Sequence, residues 1–159
     1  MALHEAQPRI IQRDVDDSGL GRWTWMRIQG RQGHTTTVIS AYRPNNSKTT
    51  PGTPYLRQQS HWVNKGRHGC PIKFFDEDLK KLIKARFKEN DHVVLGIDAN
   101  EDVRSGAVKR IMDSVGMRDG ILDLHRGLNP PETCNKNQSR VPIDAIYVSP
   151  GIQLSAGGY

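Results

Sequence analysis

His92-Val93-Val94-Leu95-Gly96-Ile97-Asp98-Ala99-Asn100 is a short apolar run that stops abruptly in an acid and an amide. That pattern predicts a buried strand with polar groups at its end. Just before it, Leu79, Leu82, Ile83 and Phe87 recur at helical spacing, which predicts a helix from about Glu77 to Glu89 capped by Asp76. Just after it, Ser105 opens a second amphipathic helix with Val108, Ile111, Met112 and Val115 facing inward, closed by Gly116. Further upstream, Trp23 and Trp25 share one face of an extended segment, and Met26 and Ile28 share the other. Gly30 to Gly33 makes a turn into the β-branched run Thr35 to Tyr42, so the region from Arg22 to Tyr42 reads as a hairpin. Tyr55 to Asn64 fits a helix, Asp119 to Gly127 a short helical turn, and Ile143 to Ser149 a last strand stopped by Pro150-Gly151. Residues 1–21 are polar and read as an irregular lead-in. The order strand, strand, helix, strand, helix, strand predicts an α/β or α+β fold with a mixed sheet.

Composition bounds the function. The 159 residues suffice for one domain with a core. No apolar run approaches the ~18 residues that cross a bilayer, so no membrane role is expected. The first ten residues lack the apolar segment of a secretory signal, which favours cytoplasm or nucleus for the chain as given. Lys and Arg number 23 against 17 Asp and Glu, for a net charge of +6. That balance raises encounter rates with polyanions and makes nucleic acid, DNA or RNA, an expected partner. Cys70 and Cys134 lack the spacing of a zinc site and read as free thiols.

The residues able to carry chemistry cluster at strand ends, where sheet-based sites form. Tyr42 ends one strand and leads into Arg43-Pro44-Asn45. Asp98 and Asn100, one residue apart, project to the same side of an extended segment. A carboxylate there can orient or deprotonate water, or bind a hard cation. A carboxamide can hold a phosphate oxygen without adding charge. Asp144 begins an apolar strand, a costly position unless it is paired. Each also has a plain structural reading: an Asx turn for Asp98-x-Asn100, a half-buried strand aromatic for Tyr42, and a backbone hydrogen bond for Asp144.

Together, V-I-S-A-Y-R-P-N (Val38 to Asn45), an amphipathic helix, H-V-V-L-G-I-D-A-N (His92 to Asn100), P-P-E-T (Pro130 to Thr133) and P-I-D-A-I-Y-V-S (Pro142 to Ser149) resemble the endonuclease/exonuclease/phosphatase superfamily over about Arg22 to Pro150. The resemblance implies a four-layered α/β sandwich with mixed, largely antiparallel sheets, of which residues 22–159 make a part. It implies a phosphoric ester hydrolase dependent on Mg²⁺ (or Mn²⁺), with in-line attack of water on phosphorus. The block from Tyr42 to Asn45 leans towards endonucleases of retroelements. By the same resemblance Tyr42 and Asn45 contact the scissile phosphate and Arg43 adds a charged donor to it. Asp98 activates the attacking water, Asn100 binds a phosphate oxygen, and Asp144 orients a catalytic histidine. Asp98 and Asn100 are then also the candidate metal ligands.

The pattern departs from the family in three places. Ile97 stands between Gly96 and Asp98, where the family most often has glycine next to the aspartate. The family's Asn and metal-binding Glu belong upstream of Arg22, where residues 1–21 offer Glu5, Asp14, Asp16 and Asp17 in no strand-and-helix pattern. Its Ser-Asp-His block belongs beyond Asp144, and none of the six histidines lies there. The expectation is a domain truncated at both ends, completed by missing segments or a partner chain. The alternative is a catalytically incomplete remnant that at most binds nucleic acid.

Overall fold

The structure, a computed structural model, describes residues 9–124, 132–136 and 139–155. The expected hairpin forms from β2 (Trp23–Gln29) and β3 (Thr35–Tyr42), joined through a tight turn at Arg31–Gly33. Helices α1 (Pro54–Asn64) and α2 (Pro71–Lys88) follow, then β4 (His92–Asp98), α3 (Ala107–Ser114), β5 (Arg118–Asp119) and α4 (Gly120–Leu124). A small hairpin of β6 (Cys134–Lys136) and β7 (Ser139–Val141) precedes the last strand, β8 (Asp144–Val148). Residues 125–131, which include the rest of the turn expected to Gly127 and Pro130-Pro131, lie outside the described residues.

One element was not expected. Residues 9–15, inside the stretch read as an irregular lead-in, form strand β1 (Arg9–Val15), antiparallel to β2, with a bulge between Ile10 and Gln12. All seven of its residues are exposed, so there is no buried face to print an alternation into the sequence.

The main sheet has the order β1-β2-β3-β4-β8-β5. β3 and β4 run parallel, and the other neighbours run antiparallel. The parallel step needs a crossover, and α1 and α2 supply it. The mixed α/β architecture is therefore as expected. One face of the sheet carries Trp23, Trp25, Ile39, Leu95, Ile97 and Tyr147, packed against Phe75, Leu79 and Ile83 of α2 and Val108 and Met112 of α3. The alternation of buried and half-buried residues along β4 follows from its two-residue repeat.

The opposite face is uncovered among the described residues. Val15, Met26 and Ile146 are exposed there, beside the small side chains of Thr24 and Ser40 and the bare backbone of Gly96. Register places these residues together, because Thr24 pairs with Ser40, Ser40 with Gly96 and Gly96 with Ile146.

Helix α2 starts at Pro71, six residues before the expected start. Cys70 is its N-cap and Pro71 occupies the first helical position, where a missing N–H is no loss. Asp76, expected to cap the helix, lies in its second turn and is engaged by Arg43. Helix α3 starts at Ala107 rather than Ser105. Glu101 supplies its cap, accepting the Val108 N–H at 2.6 Å. Gly116 follows its C-cap at φ +76°, the left-handed conformation expected of it. No helix among the described residues is long and apolar enough to cross a membrane.

Candidate active-site cleft

Strand register brings the expected residues into line. Tyr42 is the parallel partner of Asp98, and Asp98 is the antiparallel partner of Asp144. Partners across a ladder point to the same face, so the three side chains stand in a row across β3, β4 and β8, on the uncovered side of the sheet. Neighbouring strands are ~4.8 Å apart, so the row spans roughly 10 Å. It lines a cleft of about 750 Å³, together with Ile146, Thr133 and Asp119.

Asp98 is held by its own loop. Its Oδ1 accepts the Asn100 N–H at 3.0 Å. Burial, the largest influence, pushes its carboxyl above the usual range; the bond from Asn100 opposes this, and the negative charge of Asp144 adds to it. The negative charge of Asp144 across the ladder makes the Asp98 carboxyl hold its proton more tightly. Asp144 is exposed and sits at the very start of β8. Thr133 fixes that start, its Oγ1 accepting the N–H groups of Ile143 at 2.8 Å and Asp144 at 3.1 Å.

The other expected site residues lie off this row. Asn100 has a left-handed backbone, φ +49°, and its Nδ2 donates to the Arg43 carbonyl at 2.7 Å. Asn45 is half-buried, and its Oδ1 accepts the Ser47 N–H at 3.4 Å, a local Asx turn. Arg43, expected to meet phosphate, is 5% exposed. Its Nε and Nη2 hold Asp76 at 2.7 and 2.9 Å, and its Nη1 meets Glu101 at 2.9 Å. Its guanidinium is spent inside the protein and leaves no arm for a substrate in the cleft.

Two residues of the cleft were not singled out from the sequence. Asp119 accepts the N–H groups of Ile121 at 2.9 Å and Leu122 at 3.0 Å, and burial pushes its carboxyl up. The only sequence signal was an Asp-Gly step before an apolar pair. Thr133 ends the P-P-E-T block, and nothing in the sequence gives it a role of its own.

The fit to a divalent cation is partial. Mg²⁺ takes six oxygens, usually including one or two carboxylates and several waters. Asp98 and Asp144 offer two hard donors. Among the described residues no three His, Cys, Asp or Glu side chains form a group able to hold a metal. The described residues therefore do not make a complete Mg²⁺ site.

No protein-family model matches the chain, and no curated protein matches it. Solved structures do. A 3′ phosphatase, NExo, from Neisseria, bound to a product DNA hairpin, superposes with a TM-score of 0.58 at 14% identity, over 90% of this chain and 59% of that one. An AP endonuclease from Archaeoglobus fulgidus gives 0.57 at 15% identity, over 90% and 60%. An endonuclease/exonuclease/phosphatase family protein from Bacteroides thetaiotaomicron gives 0.52 at 15% identity, over 90% and 52%. The chain thus spans between about half and three-fifths of the length of the structures it matches. At this identity the likeness speaks for the fold: the chain resembles the endonuclease/exonuclease/phosphatase superfamily and carries the α/β fold of its members.

Proposed function

We propose that the cleft belongs to a phosphoric ester hydrolase acting on nucleic acid, an endonuclease of the kind found in retroelements. The observation that carries this reading is the row of Tyr42, Asp98 and Asp144 on three adjacent strand ends. As water adds to phosphorus, Asp98 takes its proton, the P–O bond to the leaving oxygen breaks, and that oxygen takes a proton from solvent. The burial of Asp98 and the neighbouring Asp144 charge strengthen it as a base. The Tyr42 phenol donates a hydrogen bond to a non-bridging phosphate oxygen, where charge builds in the transition state. Asp144 supplies the local negative field. Asn100 and Thr133 hold the two aspartates in register.

A second reading is binding without cleavage. The incomplete metal set among the described residues and the net charge of +6 favour it. One assay separates the two. Supercoiled plasmid, abasic duplex and single-stranded RNA are incubated with the purified chain and Mg²⁺, with EDTA, and with the Asp98→Ala variant. Hydrolysis is expected to fall about 10²- to 10⁴-fold in Asp98→Ala, the range of a lost general base. Cutting unchanged in Asp98→Ala overturns the assignment. No cutting, with salt-sensitive binding that persists in EDTA, establishes the second reading.

A further inference from the structure

We propose that Arg43 is a positioning residue, a buried clamp that sets the alignment of Tyr42 against Asp98; its catalytic meaning rests on the phosphoester reading above. Residue 43 is bonded through every polar group it has. Its N–H donates to the Asp98 carbonyl at 2.9 Å. Its own carbonyl accepts from Asn100 Nδ2 at 2.7 Å. Its guanidinium holds Asp76 of α2 in a two-pronged pair and Glu101 of the β4–α3 loop, and Nη1 also donates to the Ala99 carbonyl at 3.3 Å.

Three separate segments therefore converge on one side chain: the end of β3, the end of β4 with its loop, and the N-terminal part of α2. The chain neighbour of Arg43 is Tyr42, and its backbone partner is Asp98. The clamp continues one step further, because Glu101 holds Arg43 through Oε2 and caps α3 through Oε1. Asn100 is held in a left-handed backbone, which an asparagine tolerates at some cost, and its bond to the Arg43 carbonyl closes the loop. A lysine cannot replace this arrangement. It has one compact ammonium group, whereas the planar fork reaches two carboxylates and a carbonyl at once.

The test compares wild type, Arg43→Lys and, as a control on the exposed side of α2, Lys84→Gln. Three readouts are taken: the thermal melt, kcat and KM on the substrate that wild type cleaves, and the backbone amide NMR signals. Arg43→Lys is expected to melt cooperatively, to lose up to roughly 10²-fold in kcat with KM nearly unchanged, and to shift the amides of Tyr42 and of Asp98 to Asn100. A merely structural role would lower the melting temperature and leave kcat per folded molecule unaltered, and that result overturns the proposal. Unmoved amides at Tyr42 and Asp98 overturn it as well. If Arg43→Lys fails to fold, Asp76→Asn and Glu101→Gln each remove one arm of the clamp and are judged by the same readouts. If folded wild type cleaves nothing, the phosphoester reading fails by itself, and the amide shifts alone decide whether the clamp stands.

Discussion

Arg22 and Asp16 show how this chain buries charge. Arg22 is 3% exposed and lies against Trp23, its guanidinium carbon 4.3 Å from the ring centroid. It holds Asp16 through two nitrogens, at 2.7 and 2.8 Å, and Asp78 through the third at 2.9 Å. Burial, the largest single influence on Asp16, pushes its carboxyl up. The hydrogen bonds from Arg22 and Ser18, with the Arg22 charge, outweigh it and hold the carboxyl down at about 2. The folded pKa lies below the unfolded one, so this stabilisation is full above about pH 4 and is lost as pH falls towards 2. It amounts to the order of 2 kcal/mol. Asp16→Asn is expected to cost about 3 kcal/mol at pH 7 and to flatten the acid limb of a stability-against-pH curve measured by denaturant unfolding. A variant that keeps the wild-type acid limb would show that another group governs it. Position along the chain explains which candidate residues the sequence offers. Tyr42, Asp98 and Asp144 end or begin apolar strands, and that position is visible in a linear sequence. The role of Arg43 was not visible, because its partners Asp76 and Glu101 are local to it only once the chain has folded.

Helices and strands were legible in proportion to how much they bury. β4 and α3 carry a clear period because one side of each is packed. β1 carries none, being exposed along its whole length. The start of α2 was masked by Pro71, which reads as a stop although it serves at the first helical position. Leu79 in the middle of α2 is 1% exposed within the core. Leu79→Ala is expected to cost about 2–5 kcal/mol in urea unfolding. Gly106, the N-cap of α3, is constrained by space rather than by backbone angle. A methyl group there would sit 2.5 Å from the Glu101 carboxyl and 2.7 Å from the Asp102 carbonyl. Gly106→Ala is expected to destabilise by about 1–3 kcal/mol, through overpacking and through displacement of Glu101 from Arg43 and Val108. A neutral Gly106→Ala would mean that the loop gives way freely and that the Glu101 link is slack.

Among the described residues the sheet is one-sided. Helices α2 and α3 cover one face, and the other presents Met26 at 40% and Ile146 at 46% exposure next to the acidic row. A polar change at an exposed site costs little, usually within ~0.5 kcal/mol. Met26→Lys and Ile146→Lys are therefore expected to leave the unfolding free energy nearly unchanged. A loss well above that value would show the face to be covered in solution. The class of fold could be read from the element order, since a parallel β3–β4 pair requires the crossover that α1 and α2 make. The uncovered face could not be read, because Met26, Ile28 and Val38 look like core residues in sequence whether or not a layer lies over them. On the proposed function, Tyr42, Asp98 and Asp144 act as one unit across three strands. The most direct test of that claim is the cleavage rate of Asp98→Asn, Asp144→Asn and the double variant, each shown to be folded. Groups that work together lose their effect together. The double variant is expected to be no slower, within a few-fold, than the worse single variant. Losses that multiply, or single variants as fast as wild type, would contradict the claim.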